Sequence, residues 1–383
     1  MSVRFAPSPT GSMHIGNLRT AIFNWLYSKK YNIPFYIRIE DTDLSRSSKV
    51  YEEEIFNILN IIGLDYNLFN NIIVRQSDRF HIYVNIAQQL VHDQFAYYCI
   101  CNSSYNKDNI NFQKIKCDCR TLNYTSGAIR FKTPINKIIT FNDLVYGTIE
   151  TNTNEIEDFV LLRSDNIPTY MLCVVVDDNW MNITTIIRGD DHKTNTPKQI
   201  LLYEALRYNI PQFAHLPMIL GDDGKKLSKR KANGSVMDLL NNGYVPSSIF
   251  NYLLKLGFGY KNEEIISKDR AIEIFNIKHI NKAPCIFNEN KLQFLSKHYL
   301  KTESIHENII KNMITKYLEI NHIGYYSNNI TVYWDILWKE LIMRLSTYND
   351  LYHLISFLTN PGLVLFTYDK NVVKDMYDFI SNN

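Results

Sequence analysis

The first seventeen residues combine a short strand, a turn with proline and glycine, and the start of a helix. Val3 and Phe5 alternate with polar neighbours, as residues of a buried strand edge do. Pro7 and Pro9 prevent a helix directly after this strand. The chain must therefore pass from strand to helix through an irregular turn, which is how an α/β unit begins.

The helix after this turn is predicted from Leu18 by apolar residues that share one face, namely Ala21, Ile22, Trp25 and Leu26. Gly11 and Gly16 lie in the turn between strand and helix, where glycine lets the backbone approach a ligand closely. Free backbone N–H groups and the helix dipole point to the same place in such an arrangement. The segment therefore predicts an anion site that suits a phosphate group.

A second segment, more than two hundred residues later, carries a dense positive charge. Residues 221–224 form a turn, and five of the seven residues from Lys225 to Lys231 are basic. A basic run is commonly a solvated face, which is one interpretation here. Because this run follows a turn, its ammonium groups are also placed to close over a polyphosphate and to neutralise developing charge.

The two segments resemble the HIGH and KMSKS signatures of class I aminoacyl-tRNA synthetases. Five stretches are similar to glutamyl-tRNA synthetases of the bacterial type: residues 4–11, within the first segment, and residues 38–43, 168–178, 187–192 and 195–199. The similarity runs from residue 1 to about 300. The chain is therefore identified as a member of that family, and the resemblance implies a C-terminally shortened one with room for a single helical domain after position 304.

The resemblance and the element pattern predict an α/β fold. We expect a Rossmann-type doubly wound parallel sheet, split by an α+β insertion with a zinc module and followed by all-helical C-terminal domains. The predicted domains are the first catalytic half (1–95), the acceptor-end-binding insertion (96–185), the second catalytic half with the lysine loop (186–240), a helical stem-contact domain (241–304) and a shortened helical anticodon-binding domain (305–383).

Apolar periodicity predicts the individual elements within these domains. Strands are expected near 3–6, 35–39, 128–131, 138–141, 158–162, 184–188 and 215–220. Helices are expected near 18–30, 48–62, 78–94 and 196–207, and then from 247, 290–296, 309–318 and 334–345.

The family's reaction has two steps: glutamate attacks the α-phosphate of ATP, and the terminal ribose of tRNA(Glu) then attacks the activated carbonyl. Such transfers depend on positioning and charge stabilisation. The resemblance places His14, Gly16, Lys226 and Lys229 in catalysis, with Mg²⁺ sharing the phosphate charge. The ATP-binding set that it implies is Pro7, Ser8, Thr10, Gly11, His14, Gly16, Asn17, Lys226, Ser228, Lys229 and Arg230.

L-glutamate carries two carboxylates and one ammonium, so its pocket needs arginine and an acid. The resemblance makes Arg4 and Arg188 the carboxylate ligands and gives the amino group to Glu40. The rest of the implied glutamate-binding set is Ala6, Ser8 and Tyr170. A buried arginine in a strand favours the functional role for Arg4, whereas Glu40 has an ordinary alternative as a partner for Arg38.

The six cysteines are unevenly distributed. Cys99, Cys101, Cys117 and Cys119 form two Cys-x-Cys pairs, a spacing that suits a tetrahedral zinc site. The alternative is four reduced cysteines without a metal. Many bacterial glutamyl-tRNA synthetases resemble this chain in carrying a zinc-binding insert here. Cys173 and Cys285 are expected to pack in the core.

Bulk composition limits the remaining classes. A net charge of +2 requires tRNA contacts to come from local patches. No apolar run reaches the roughly 20 residues of a membrane span, and the N-terminus lacks a signal-peptide layout. We therefore expect a cytoplasmic protein without membrane contact, and the family implies a monomer.

Three alternatives share parts of this pattern. A glutamyl-queuosine tRNA(Asp) synthetase resembles the catalytic half, but the intact lysine loop and the long helical extension argue against it. Glutaminyl-tRNA synthetase is disfavoured because its C-terminal half is expected to be β-barrel. A non-catalytic tRNA-binding paralogue would not need the ATP motifs. The family implies that glutamate activation requires bound tRNA, whereas the queuosine-modifying relatives need none.

Overall fold

The first catalytic segment alternates strand and helix. A computed structural model of the chain describes residues 1–101, 117–221, 223–225, 234–320 and 334–359. Its elements begin with β1 (Val3–Phe5), α1 (Ile15–Tyr31), β2 (Phe35–Ile39), α2 (Lys49–Ile62), β3 (Val74–Arg75) and α3 (Phe80–His92). The three strands form a parallel sheet in the order β1-β2-β3. This is the βαβ alternation that the sequence predicts.

The next segment contains two small β-structures. Its elements are β4 (Ala96–Cys99), β5 (Ala128–Phe131), β6 (Ile138–Asp143), β7 (Gly147–Asn152), β8 (Val160–Leu162) and α4 (Tyr170–Trp180). Strands β4, β5 and β8 form an antiparallel sheet, and β6 and β7 form an antiparallel hairpin.

The parallel sheet resumes with β9 (Thr185–Gly189), α5 (Thr196–Ala205), β10 (Gln212–Leu216) and β11 (Ile219–Leu220). β10 lies between β9 and β6 and is parallel to both. β9 also adjoins β1, because the Ser2 carbonyl accepts hydrogen bonds from the amides of Thr184 and Thr185 at 3.1 and 3.3 Å. The β6–β7 hairpin therefore extends the sheet of β9 and β10, and β1 lies beside the other edge of that sheet.

One strand prediction needs correction. The single strand expected near 215–220 is two strands, β10 and β11, separated at Pro217. Proline has no N–H to donate to a ladder, and it ends β10 here. The chain then turns so that β11 pairs with a short strand, β12 (Cys285–Ile286), from the helical region.

Two hydrophobic cores lie on the two faces of the sheet. Neighbouring strand residues point to opposite faces; Ile187 packs with the residues around α1 and α7, whereas Ile186 packs with those around α3, α4 and α5. Ala214 and Phe213 of β10 divide in the same way. Helices on both faces define a doubly wound sheet, which confirms the predicted fold class.

The remaining described elements are helical apart from β12. They are α6 (Val236–Asn241), α7 (Pro246–Lys255), α8 (Lys268–Ile274), α9 (Glu289–Thr302), α10 (Ile305–Ile320) and two further helices, Trp334–Arg344 and Asp350–Thr359. Trp25 of α1 meets Phe250 of α7 edge to face, with ring centroids 6.0 Å apart, and this contact seats the helical region on the first core. None of the helices in the described segments is both long and apolar enough to cross a lipid bilayer.

Candidate active site

An open cleft of about 630 Å³ lies where the parallel strands end and α1 begins. In a doubly wound sheet, this edge is where ligands bind. The predicted residues that line it are Arg4, Ala6, Pro7, Ser8, Thr10, His14, Gly16, Asn17, Glu40, Tyr170 and Arg188. Gly11 is in the same turn but does not line the cleft. Lys226, Ser228, Lys229 and Arg230 lie outside the described residues.

The N-terminus of α1 faces this cleft. The helix begins at Ile15, three residues before the predicted start, because His14 caps it: Nδ1 of His14 accepts the Gly16 amide at 3.1 Å. Since Nδ1 is the acceptor, a neutral His14 carries its proton on Nε2, which is then a donor. The first turn of α1 contains no acidic residue. Backbone N–H groups, the helix dipole and an imidazole N–H thus meet at one end of the cleft, an arrangement that favours an anion.

Arg4 is fixed by a carboxylate on α4. Its Nε and Nη2 donate to the two oxygens of Asp178 at 3.0 and 3.3 Å. Asp178 also pairs with Arg38 of β2, whose side chain is fully buried. Burial alone would raise the pKa of Asp178, but the Arg38 and Arg4 guanidiniums outweigh it and hold that pKa below its ordinary value. The positive charge of Arg4 is therefore largely compensated within the protein.

Glu40 follows β2 and lines the cleft. It accepts a hydrogen bond from Arg38 Nη2 at 2.9 Å, so the ordinary partner foreseen for it is present. Burial raises the pKa of Glu40 more than Arg38 lowers it. A buried carboxylate that gains a second cation would become more acidic again, and a substrate ammonium in the cleft would supply that cation.

Arg188, at the end of β9, has neutral partners instead. Its three nitrogens donate to His215 Nε2 (3.2 Å), Tyr170 Oη (3.3 Å) and Thr196 Oγ1 (2.7 Å). No carboxylate among the described residues forms an ion pair with it, although its side chain is only 5% exposed. A buried guanidinium with an uncompensated charge attracts a carboxylate strongly.

His192 and Tyr170 complete this wall of the cleft. The Tyr170 hydroxyl lies 3.2 Å from Nδ1 of His192. Burial, together with the charge of Arg188, lowers the pKa of His192 to about 4. Burial raises the pKa of Tyr170. Both groups are therefore neutral near pH 7, so neither of them compensates the positive charge of Arg188.

The four clustered cysteines lie away from the cleft. All four sulfurs are within 4.8 Å of one another, and three neighbouring pairs are 3.3 to 3.5 Å apart. Four thiolates around zinc at Zn–S about 2.3 Å would be about 3.8 Å apart in a tetrahedron. The cluster is therefore consistent with a structural zinc site. Cys173 is buried as predicted, in the core around α3, α4 and α5, and half-buried Cys285 packs against the other core, around α1 and α7.

Sequence reasoning missed the residues that hold the two arginines. Asp178 was part of a recognised stretch without a role, and His215, Asp143 and Thr196 had none. The missed signal was a set of polar residues in or beside apolar runs: Asp178 in α4, which was not predicted as a helix, His215 in β10, and Asp143 two residues beyond the predicted strand 138–141. Buried polar side chains need partners, so each of them marked a non-local contact.

Comparisons with known proteins agree with this geometry. Residues 1–294 match the family of class I tRNA synthetases for E and Q, catalytic domain. Glutamate–tRNA ligase 2 of Ehrlichia chaffeensis is 44% identical over 338 residues, which is 85% of this chain and 71% of that protein. The corresponding ligase 2 of Helicobacter acinonychis is 43% identical over 319 residues, covering 80% and 68%.

A solved structure shares the fold over nearly the whole chain. The glutamate tRNA ligase of Elizabethkingia meningosepticum, crystallised in complex with its amino acid, superposes with a TM-score of 0.76 and 28% identity, covering 98% of this chain and 82% of that one. A family match over most of the chain, close relatives and a common fold lead to one conclusion. The chain belongs to the class I glutamyl-tRNA synthetase family, whose catalytic domain it contains.

Proposed function

We propose that the chain is a glutamate–tRNA ligase, which activates L-glutamate with ATP and transfers the glutamyl group to the 3′ end of tRNA(Glu). The observation that carries this proposal is the uncompensated charge of Arg188 in the cleft wall. A side-chain carboxylate of the substrate would be its missing counterion. Glu40, whose pKa burial raises, would take the substrate ammonium.

In the first step, an oxygen of the glutamate α-carboxylate attacks the α-phosphorus of ATP, and the bond to pyrophosphate breaks. The N-terminus of α1 and His14 would hold the phosphate oxygens, with Gly16 leaving room for the nucleotide. A Cβ at Gly16 would come within 3.2 Å of His14 Nδ1. Lys226 and Lys229 would bind the outer phosphates together with Mg²⁺.

In the second step, the terminal ribose hydroxyl of tRNA attacks the activated carbonyl, and AMP leaves while the hydroxyl proton is released. The protein contributes position more than covalent chemistry here. The predicted domain boundaries suit such a division of labour, with residues 96–185 at the acceptor end and residues 241–383 along the rest of the tRNA. We propose a cytoplasmic monomer on the family's pattern.

Glutamate-dependent ATP–pyrophosphate exchange, measured with and without bacterial tRNA, tests the function. Exchange that requires tRNA is expected of a glutamate–tRNA ligase. Exchange without tRNA would instead favour a glutamyl-queuosine tRNA(Asp) synthetase, whose substrates the same family fold accommodates. The absence of exchange both with and without tRNA would contradict the proposal that the chain is an enzyme.

A matched pair of arginine variants links the assay to the cleft. Arg188→Ala is expected to raise the KM for glutamate by roughly a hundredfold, because a charge-assisted pair is lost. Arg207→Ala is the control, since Arg207 is exposed and lies between α5 and the start of β10, at the opposite edge of the sheet. Equal effects of the two substitutions would contradict the role of Arg188.

We also propose that the four-cysteine cluster binds one Zn²⁺ and thereby holds the end of β4 to the segment before β5. Metal analysis should find one zinc per chain. Cys119→Ser, which changes a buried ligand, should lower both the zinc content and the melting temperature, whereas Cys173→Ser should leave the zinc content unchanged. A Cys119→Ser variant that retains a full equivalent of zinc would contradict the proposal that the four cysteines bind the metal.

A further inference from the structure

Behind Arg188 lies a buried pair that does not touch the cleft. Nε of Arg188 donates to Nε2 of His215 at 3.2 Å, and Nδ1 of His215 is 2.6 Å from Oδ2 of Asp143. His215 is 0% exposed and Asp143 is 1% exposed. Neither residue lines the cleft, so any influence on a substrate must pass through Arg188.

The hydrogen-bond partners determine where the proton of His215 resides. A guanidinium can only donate, so Nε2 must be the acceptor. An ionised carboxylate can only accept, so Nδ1 must carry the proton. The Thr196 hydroxyl accepts from Arg188 Nη2 and lies 3.1 Å from Nε2, where its proton would share the single lone pair of Nε2 with Arg188 Nε. Burial lowers the pKa of His215, which keeps the imidazole neutral.

Asp143 is itself held in one orientation. Its Oδ1 accepts the backbone amides of Val145 and Tyr146, both at 2.9 Å, in the turn between β6 and β7. Its Oδ2 is therefore directed at His215. Burial would raise the pKa of Asp143, but the bonds from His215 and from these amides hold it below its ordinary value. The turn thus supplies a carboxylate that is both ionised and fixed.

We propose that Asp143 and His215 are positioning residues that select the Nδ1–H tautomer and thereby present the guanidinium of Arg188 to the substrate carboxylate. That this carboxylate belongs to glutamate follows from the proposed function, on which the proposal rests to that extent. Three of the five N–H groups of Arg188 are taken by described side chains, and the other two remain for a ligand. The hydrogen bonds from Asp143 to His215 and from His215 to Arg188 fix the direction in which these two N–H groups point.

Asp143→Asn tests the tautomer with the least change of shape. Oδ1 can keep both backbone bonds, while the new Nδ2 would donate to Nδ1 of His215. The imidazole proton would then move to Nε2, where it would face the N–H of Arg188. A carboxylate-to-amide change behind a histidine has this consequence in serine proteases, where it stabilises the wrong tautomer.

Two substitutions of His215 separate its two nitrogens. In His215→Gln the amide oxygen can reach the position of Nε2 and still accept from Arg188. In His215→Asn the shorter amide can replace only Nδ1, so it still donates to Asp143 but leaves Arg188 without an acceptor. The proposal therefore predicts that the glutamine variant retains glutamate binding better than the asparagine variant.

The kinetic experiment measures tRNA-dependent pyrophosphate exchange against both glutamate and ATP. Asp143→Asn and His215→Asn should raise the KM for glutamate roughly tenfold or more, the effect of losing a hydrogen bond to a charged group. The KM for ATP should stay within about twofold. Asp143→Asn should add little in the His215→Gln background, since no imidazole remains to change tautomer. Unchanged glutamate KM values, or equal losses for ATP, would overturn the proposal.

A second measurement does not depend on activity. Nitrogen NMR of histidine-labelled protein reports which ring nitrogen carries the proton, and His215→Gln identifies the resonance among the ten histidines. The wild-type protein should show the Nδ1–H tautomer, and Asp143→Asn should show Nε2–H. A wild-type Nε2–H tautomer or an imidazolium at pH 7 would overturn the proposal, whereas a failed exchange assay of the wild-type protein would count against the proposed function alone.

Discussion

Arg4 and Arg188 face the same cleft with different surroundings. Arg4 forms a two-point ion pair with Asp178, whereas Arg188 is bound by a histidine, a tyrosine and a threonine. The family resemblance implies the same role, carboxylate binding, for both arginines. Arg4 is therefore fixed in the cleft wall by an ion pair, whereas the charge of Arg188 is not compensated by a carboxylate among the described residues.

Removing either arginine should therefore lower the stability of the protein by a different amount. Arg4→Ala leaves Asp178 buried with Arg38 as its remaining partner and is expected to cost about 3–5 kcal/mol of unfolding free energy. Arg188→Ala breaks bonds to neutral groups and should cost about 1–3 kcal/mol. Urea unfolding at pH 7.5 measures both. A larger loss for Arg188→Ala than for Arg4→Ala would contradict this assignment.

His192 predicts a specific pH dependence of stability. Its folded pKa is about 4, below the ordinary value of 6.5. Between these values the unfolded chain binds a proton that the folded chain does not, so stability falls as the pH falls from about 6.5 to about 4. One such group contributes at most about 1.4 kcal/mol per pH unit.

His192→Asn removes this titration while leaving a polar group beside Tyr170. The asparagine variant should therefore lose less stability than the wild-type protein between pH 7 and pH 5, as measured by urea unfolding at each pH. Parallel losses in the two proteins would show that His192 does not contribute. His215, whose pKa burial also lowers, remains in both proteins and serves as the common background.

Residue identities in the cleft were predictable, but their pairings were not. Arg4, Ser8, Glu40, Tyr170 and Arg188 all line the cleft, as the motifs indicated. Asp178, by contrast, is 174 positions from Arg4, and His215 is 72 positions from Asp143. Periodicity reports which face of an element a residue occupies and carries no information about distant partners.

At the level of elements, most of the helices and strands were predicted within a few residues. The start of α1, three residues earlier than predicted, depends on a side-chain cap by His14 that apolar spacing cannot reveal. The same contact links the cap to the proposed catalytic role of His14: Nδ1 caps the helix, and the proton of a neutral imidazole is then left on Nε2, where we propose that it is donated to a phosphate oxygen.

Substitutions of His14 can separate these two functions. Asparagine is a favoured N-cap, so His14→Asn should retain stability, whereas His14→Ala should lose about 1 kcal/mol. Both variants lack the ring N–H and should slow glutamate activation by roughly a hundredfold, as the loss of a donor to a developing charge does. Thermal unfolding and pyrophosphate exchange measure the two effects separately. Normal exchange in the asparagine variant would exclude the donor role.

At the scale of the whole molecule, a buried hydrogen-bond chain joins the helical segments. Tyr348, just before the last described helix, lies 2.6 Å from Nδ1 of His306 in α10, and Nε2 of His306 is 2.8 Å from Glu303 after α9. Tyr348 and His306 are both buried. These contacts tie the helix Asp350–Thr359 to the helices that pack on the catalytic region.

Tyr348→Phe should loosen this connection. The change leaves a buried acceptor on His306 without its donor, which costs about 1–3 kcal/mol. Hydrogen exchange of α10 and of the helix Asp350–Thr359 should accelerate, while that of the parallel sheet should not. Tyr31→Phe, at an exposed tyrosine of α1, is the control. Unchanged exchange in α10 would contradict the proposed connection.

The β6–β7 hairpin has a consequence for any attempt to reduce this protein to a minimal catalyst. The segment between α3 and β9 looks detachable, because it interrupts a sheet that is continuous in space. Yet it contributes a strand beside β10 and the carboxylate behind His215. Excising the whole segment would leave a fragment that retains the first seventeen residues and the lysine-rich segment but lacks the support of Arg188, so boundaries drawn from these two motifs alone would mislead protein engineers.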